Sequence, residues 1–176
     1  MSFARKMRKR SNRATKKLMR TNEQRERVNR HVAAREKAES WAGAMETIQG
    51  TLTMLFIAAH DAQGLGEKRL RRVLEKIEVY NDCIESGRVT LDEIEQIVRN
   101  DTKTIVDFSG ATSPQWQIIR RLSSLFLLAL HDLYGFGETK LGRIYTYATK
   151  LSKAVSDGRL TLDEIAKKAE KIPCIG

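Results

Sequence analysis

Between Trp116 and Leu130 the apolar positions recur every three or four residues: Trp116, Ile119, Phe126 and Leu130 share a register with Ser123, and Leu122, Leu125 and Ala129 lie beside them. That is the period of an α-helix with one broad buried face. Ser113-Pro114 opens it, an N-cap residue followed by a proline at the first helical position, where the missing N–H costs nothing. A second stripe, Leu70, Val73, Leu74, Ile77 and Ile84, predicts a helix that stops at Gly87. A third helix starts at Thr90-x-x-Glu93, a capping box in which the threonine hydroxyl and the glutamate carboxylate satisfy each other's backbone N–H groups. Asp92 adds negative charge where the helix dipole favours it, so these acids read as structural rather than catalytic.

The same signals come twice at a fixed offset of 71 residues. His60, Asp61, Gly64, Gly66, Glu67, Leu70 and Arg72 match His131, Asp132, Gly135, Gly137, Glu138, Leu141 and Arg143. Gly87-Arg88 and Thr90-Leu91-Asp92-Glu93-Ile94 match Gly158-Arg159 and Thr161-Leu162-Asp163-Glu164-Ile165. Fifteen identities in the 47 gap-free pairs from Leu52 to Val98 mark an internal duplication. The pattern therefore predicts an all-α protein of two tandem homologous three-helix modules, residues 44–100 and 113–172, joined by a linker over 101–112. The expected core is Leu55, Phe56, Leu70, Leu74, Ile77, Ile84, Leu91 and Ile94 in the first copy. In the second it is Trp116, Phe126, Leu127, Leu130, Leu141, Ile144, Val155, Leu162 and Ile165.

Charge changes this picture at one end only. The chain has 32 basic and 22 acidic residues, but residues 1–20 hold nine of the cations and no acid: Arg5, Lys6, Arg8, Lys9, Arg10, Arg13, Lys16, Lys17 and Arg20. The remainder, 23 basic against 22 acidic side chains, is close to neutral. Residues 1–21 read as a basic arm with no apolar face worth burying, disordered when free or helical in its second half. Thr21-x-x-Gln24 reads as a capping box for a polar helix over 22–43 that ends near Gly43 or Gly50. No apolar stretch follows the basic residues as it would in a signal peptide. The longest apolar runs, Met54–Ala59 and Leu125–Leu130, fall far short of the ~20 residues of a membrane span. Cys83 and Cys174 are isolated thiols without the spacing of a disulfide framework or a zinc site. A cytoplasmic protein of a bacterial host cell, without cofactor or membrane partner, is expected.

Three readings compete for the repeated turn. The His60-Asp61 and His131-Asp132 doublets, brought together by pseudo-twofold packing, would make a ligand set for zinc or manganese. Against that reading, His31 is the only other histidine and no acid sits at a zincin-like spacing. A purely structural turn is the second reading: a histidine suits a helix C-terminus, and the aspartate accepts from loop N–H groups or pairs with Arg72 or Arg143. The third is phosphate contact. Gly64-Leu65-Gly66 with Leu70 and Val73, and Gly135-Phe136-Gly137 with Leu141 and Ile144, resemble the helix-hairpin-helix motif. That resemblance implies glycine N–H groups facing a phosphate at the start of the next helix, reinforced by Lys68, Arg69, Lys140 and Arg143.

Both copies also resemble small helical proteins of unassigned activity encoded by phages and mobile elements of Gram-positive bacteria. The residues that carry this likeness are Leu130, His131, Asp132, Gly135, Phe136, Gly137 and Leu141, with Thr161-Leu162-Asp163-Glu164 some twenty residues on. It spans residues ~50 to 170, implies a phage accessory role and names no chemistry. The expected function is accordingly non-enzymatic: binding of DNA or RNA, free or inside a nucleoprotein complex, through the nine arm cations. Direct inhibition of a host or defence nucleoprotein, anti-CRISPR-like, is the alternative, with a host nucleic-acid enzyme as partner. A solvated tail or a lipid-touching polybasic strip are the other uses of such an arm.

Overall fold

A computed structural model describes residues 3–102, 113–170 and 172, with side chains for 29–30, 32–100, 113–170 and 172. The described residues form α-helices and no strand: α1 Phe3–Gln63, α2 Glu67–Glu85, α3 Leu91–Thr102, α4 Pro114–Tyr134, α5 Glu138–Ser156 and α6 Leu162–Glu170. α2 and α5 have the same length and begin 71 residues apart, and α3 and α6 also begin 71 residues apart. No described helix is long and apolar enough to cross a membrane. The chain divides into two compact units, Met1–Gly43 and Ala44–Gly176.

The N-terminal unit belongs to α1, in which Arg35 and Glu39 pair one turn apart at 2.8 Å while Val32 and Trp41 are exposed. Here the structure departs from the expected breaks. Helical backbone runs without interruption from Phe3 through Thr21, Gly43 and Gly50. Thr21 therefore caps nothing. Each internal glycine weakens a helix by only about 1 kcal/mol, too little to end one that continues on both sides. The backbone of the basic segment is helical from Phe3 onward, whereas the side chains of Arg5, Lys6, Arg8, Lys9, Arg10, Arg13, Lys16, Lys17 and Arg20 lie outside the described residues, as do the side chain of His31 and residues 103–112.

In the C-terminal unit, local signals set the ends of the helices. Ser113 caps α4 by accepting the Trp116 N–H at 3.3 Å, with Pro114 following it. The capping boxes close on both sides: Thr90 N–H donates to Glu93 at 2.7 Å and Glu93 N–H to the Thr90 hydroxyl at 3.3 Å, with 2.8 and 3.2 Å for Thr161 and Glu164. These backbone bonds hold the Glu93 and Glu164 carboxyls below the usual glutamate range. Gly87 and Gly158 take left-handed φ of 69° and 67° at the ends of α2 and α5. Paired bonds, Gly87 N–H to Ile84 and Arg88 N–H to Cys83, repeat as Gly158 to Val155 and Arg159 to Ala154, which is the Schellman ending.

Eight consecutive residues of α4, Ser123 to Leu130, are buried, and so are five of α1, Leu55 to Ala59. At 3.6 residues per turn such runs cover every side of a helix, so both segments need neighbours all round. The neighbours come partly from the other copy. α4 packs on α2 and α3 as well as on α5. Arg120 of α4 pairs with Glu95 at 2.7 Å and Asp92 at 2.6 Å on α3, and Arg121 pairs with Glu85 of α2 at 2.6 Å. The end of α1 in turn lies beside α5 and α6 of the second copy, where Asp61 meets Tyr147 and Lys168. Phe56 and Phe126, ring centres 5.8 Å apart, join α1 to α4. Each copy's first helix is thus set against the hairpin of the other, and the two share one core.

Most expected core positions are buried or partly buried, with two corrections. Trp116 is 48% exposed because it sits in the first turn of α4, before the helix enters the core, and Leu162 is 42% exposed at the first position of α6. Conversely, Leu65 and Phe136, the lone apolar residues between paired glycines, are at 0% and 7% exposure.

Candidate nucleic-acid interface

The two Gly-apolar-Gly turns are built alike. Gly64 and Gly135 adopt φ of 65° and 62°, the left-handed region that ends a helix at little cost only for glycine, and their N–H groups bond to the carbonyls of His60 and His131 at 2.8 Å. Leu65 and Phe136 then plunge into the core. Each histidine spans its own turn: His60 Nδ1 lies 3.0 Å from the Leu65 carbonyl and His131 Nδ1 3.0 Å from that of Phe136. A carbonyl only accepts, so Nδ1 carries the proton in both rings.

The aspartates act between copies. Asp61 accepts from the Tyr147 hydroxyl at 2.8 Å and from Lys168 at 2.6 Å, and Lys168 also reaches the Tyr147 hydroxyl at 3.0 Å. Asp132 accepts from the Tyr80 hydroxyl, with Lys76 3.9 Å away. In both places the lysine lies over the tyrosine ring, at 5.4 Å for Lys168 on Tyr147 and 4.9 Å for Lys76 on Tyr80. Two Asp–Tyr–Lys clamps therefore tie each turn to the opposite copy, Asp61 to α5 and α6 and Asp132 to α2. The expected pairing of these aspartates with Arg72 or Arg143 is not formed; the exchanged packing brings Tyr147, Lys168, Tyr80 and Lys76 closer. Partial burial pushes the Asp61 carboxyl up, but hydrogen bonds from Lys168 and Tyr147 and the charges of Lys168 and His60 outweigh it, leaving the group below its ordinary value. Burial, the bond to Asp132 and that carboxylate's charge push the Tyr80 phenol up. Among the described residues no group of three or more His, Cys, Asp or Glu side chains is placed to hold a metal ion.

The expected phosphate-contact residues come together in part. Tyr134, just before the second turn, donates its hydroxyl to the Arg69 carbonyl in the first turn of α2 at 2.8 Å. The Arg69 guanidinium lies 5.9 Å from the Tyr134 ring, Tyr134 and Phe136 are 5.8 Å apart, and Lys140 sits 4.8 Å from the Phe136 ring. Arg69 and Lys140, one from each turn, therefore end a single cation–aromatic–aromatic–cation row. Lys68 lines an open hollow of about 430 Å³ with Glu67, Arg71, Arg72 and Glu75, and Arg143 lines one of about 620 Å³ with Glu138, Thr139 and Lys150.

Gly66 and Gly137 open α2 and α5. Both are extended N-caps, φ −82° and −92°, with no side-chain capping bond, and an added Cβ at either would meet nothing within 4 Å. Neither backbone conformation nor packing requires glycine there. Arg71 and Arg72 are not among the phosphate contacts that the sequence suggested. With Lys68 and Arg69 they place four cations in the first six residues of α2, where the helix dipole is already positive and disfavours them. Of the four, only Arg71 has a carboxylate partner among the described residues, Glu67 at 2.7 Å.

The fold and these turns define a class: an all-α protein with a duplicated helical hairpin whose two copies exchange their first helices. Compared with family models, with curated proteins and with solved structures, the chain matches none.

Proposed function

We propose that this is a non-enzymatic accessory protein of the phage type that holds DNA or RNA by its phosphate backbone through the basic N-terminal segment. The observation that carries the reading is the concentration of nine cations, without an acid, in residues 1–20 of a chain otherwise close to neutral. The helical backbone of that segment supports it. At 100° per residue, positions 5, 6, 9, 10, 13, 16, 17 and 20 fall within one arc of about 140°, so a single phosphate track can meet eight of the nine. The hairpin turns are secondary contacts: Lys68, Arg69 and Arg72 add to the positive end of α2, and Arg143 and Lys140 stand near the start of α5. Recognition of this kind carries no base code.

Binding of labelled duplex DNA, single-stranded DNA and RNA across a salt series tests the proposal. Full-length protein is compared with a variant in which Arg5, Lys6, Lys9, Arg10 and Arg13 are replaced by glutamine. The log–log slope of affinity against salt becomes shallower by about 0.9 for each duplex phosphate that is no longer neutralised. A slope unchanged by the five substitutions refutes the role of the segment. A second reading, direct inhibition of a host or defence nucleoprotein, draws on Trp41, 67% exposed in the N-terminal unit, a residue type that anchors protein interfaces. Absence of binding to all three nucleic acids, with capture of one host protein that survives nuclease treatment, is the result that favours it.

A further inference from the structure

The duplication supplies an internal control for every surface of the C-terminal unit, and one groove fails to match its counterpart. Between α1, α4 and α5 lies a cavity of about 260 Å³, lined by Met54, Leu55, Trp116, Ile119, Tyr145 and Ala148 with the hydroxyl-bearing Thr51, Ser123, Thr149 and Ser152. Among the described residues no charged side chain lines it. At the positions 71 residues away the chain carries larger aliphatic groups: Leu52 in place of Ser123, Ile77 in place of Ala148, and Leu122 in place of Thr51. Ile77 is 4% exposed and belongs to the core. Thr149 and Ser152 correspond to Glu78 and Asn81, so this wall also lacks a carboxylate that its counterpart carries.

Relative to its counterpart, the groove has thus given up aliphatic bulk at three points around one space, and it presents the flat rings of Trp116 and Tyr145 where the first copy has Met45 and Leu74. Trp116 remains 48% exposed at the start of α4. Replacing leucine and isoleucine by serine and alanine in a packed interior loses transfer and packing energy, and the open volume of the cavity shows that the larger Trp116 and Tyr145 rings do not refill the space. We infer that this groove is a binding site for a small neutral ligand with an apolar ring or branched aliphatic body and a hydroxyl or carbonyl group. The size is adequate, since a closed apolar cavity of about 150 Å³ holds benzene. The missing bulk, a leucine and an isoleucine side chain less what serine and alanine provide, specifies an aliphatic or aromatic body. Thr149 already donates its hydroxyl to the Tyr145 carbonyl at 2.9 Å and can only accept, whereas the hydroxyls of Thr51, Ser123 and Ser152 are left to bond one polar group of the ligand; the uncharged lining gives a charged group no partner to offset its desolvation. The site is independent of the basic segment and of the hairpin turns.

Cyclohexanol is the probe, with cyclohexylamine, protonated at neutral pH, as the charged counterpart. Full-length protein carrying Trp41→Phe leaves Trp116 as the sole tryptophan, and its fluorescence reports occupancy. Saturable change with cyclohexanol, and affinity weaker by about tenfold or more for cyclohexylamine, are expected. Ser123→Leu/Ala148→Ile, which restores the first copy's residues, abolishes the response while the melting temperature stays at or above that of the parent. Thr149→Glu, at an exposed helix position where the first copy has Glu78, weakens cyclohexanol binding without touching the core, and keeps the test decisive if the double variant fails to fold. A response that is linear in cyclohexanol, that persists in Thr149→Glu, or that is equal for the amine overturns the inference.

Discussion

Asp61→Ala removes a carboxylate that accepts two hydrogen bonds from helices of the other copy, Tyr147 at 2.8 Å and Lys168 at 2.6 Å. A charge-assisted bond of this kind is worth roughly 1.5–3 kcal/mol when shielded, but Asp61 and Lys168 side chains are 26% and 43% exposed, so solvent screening reduces the pair to about 1.5 kcal/mol in total. For a domain of this size that corresponds to a fall in Tm of about 4–8 °C. Urea denaturation of Asp61→Ala, Tyr147→Phe and the double variant forms a cycle. Because Tyr147 and Lys168 also bond to each other, the two substitutions are expected to couple by about 0.5–1 kcal/mol. Asp61→Ala combined with Tyr80→Phe, which belongs to the other clamp, should instead be additive within about 0.3 kcal/mol. Full additivity of Asp61→Ala with Tyr147→Phe, or equal coupling to Tyr80→Phe, would refute the exchanged arrangement of the first helices.

Four further outcomes are expected from the same geometry. Since the Asp61 carboxyl is depressed in the folded protein, its contribution is fully present above its unfolded pKa and is lost as pH falls through the folded value; Asp61→Asn should therefore show a shallower loss of stability below about pH 4 than the parent. Gly64→Ala and Gly135→Ala force a Cβ into left-handed backbone and should each destabilise by about 1–2 kcal/mol in thermal melts. Gly66→Ser and Gly137→Ser supply the missing cap and should stabilise by a few tenths of a kcal/mol; a simultaneous fall in nucleic-acid affinity would mark the turns as phosphate contacts, and unchanged affinity would leave them as architecture. His60→Ala should lose about 1 kcal/mol with its bond to Leu65, equally with and without chelator, whereas a defect that appears only when zinc or manganese is removed from the parent would revive the metal reading.

The parts of this protein written in its sequence are those decided by neighbours a few residues apart. Capping boxes at Thr90 and Thr161, the Ser113-Pro114 start and the glycine stops at Gly87 and Gly158 depend on backbone hydrogen bonds within one turn. The offset of 71 residues, carried by identities, announced two copies of one helical pattern. The uneven charge of residues 1–20 needed no folding to be seen. Where local signals conflicted with a continuous helix, as at Thr21, Gly43 and Gly50, the prediction failed, because a cap sequence ends a helix only if the chain beyond it does something else.

Only the tertiary structure decided which faces meet. Helical periodicity marks one buried face on each helix but neither the continuous burial of Leu125–Leu130 and Leu55–Ala59 nor the copy that covers them, and the exchange became visible only when Asp61 was found on Tyr147 and Lys168 of the other copy and Asp132 on Tyr80. Leu65 and Phe136 stand alone between glycines, outside any periodic stripe, so their burial had no local signature. The row from Arg69 to Lys140 joins residues from both turns, and the groove beside Trp116 joins three helices. Such juxtapositions depend on the packing of complementary surfaces distant in the chain, and a period of 3.6 residues carries no information about the partner it will face.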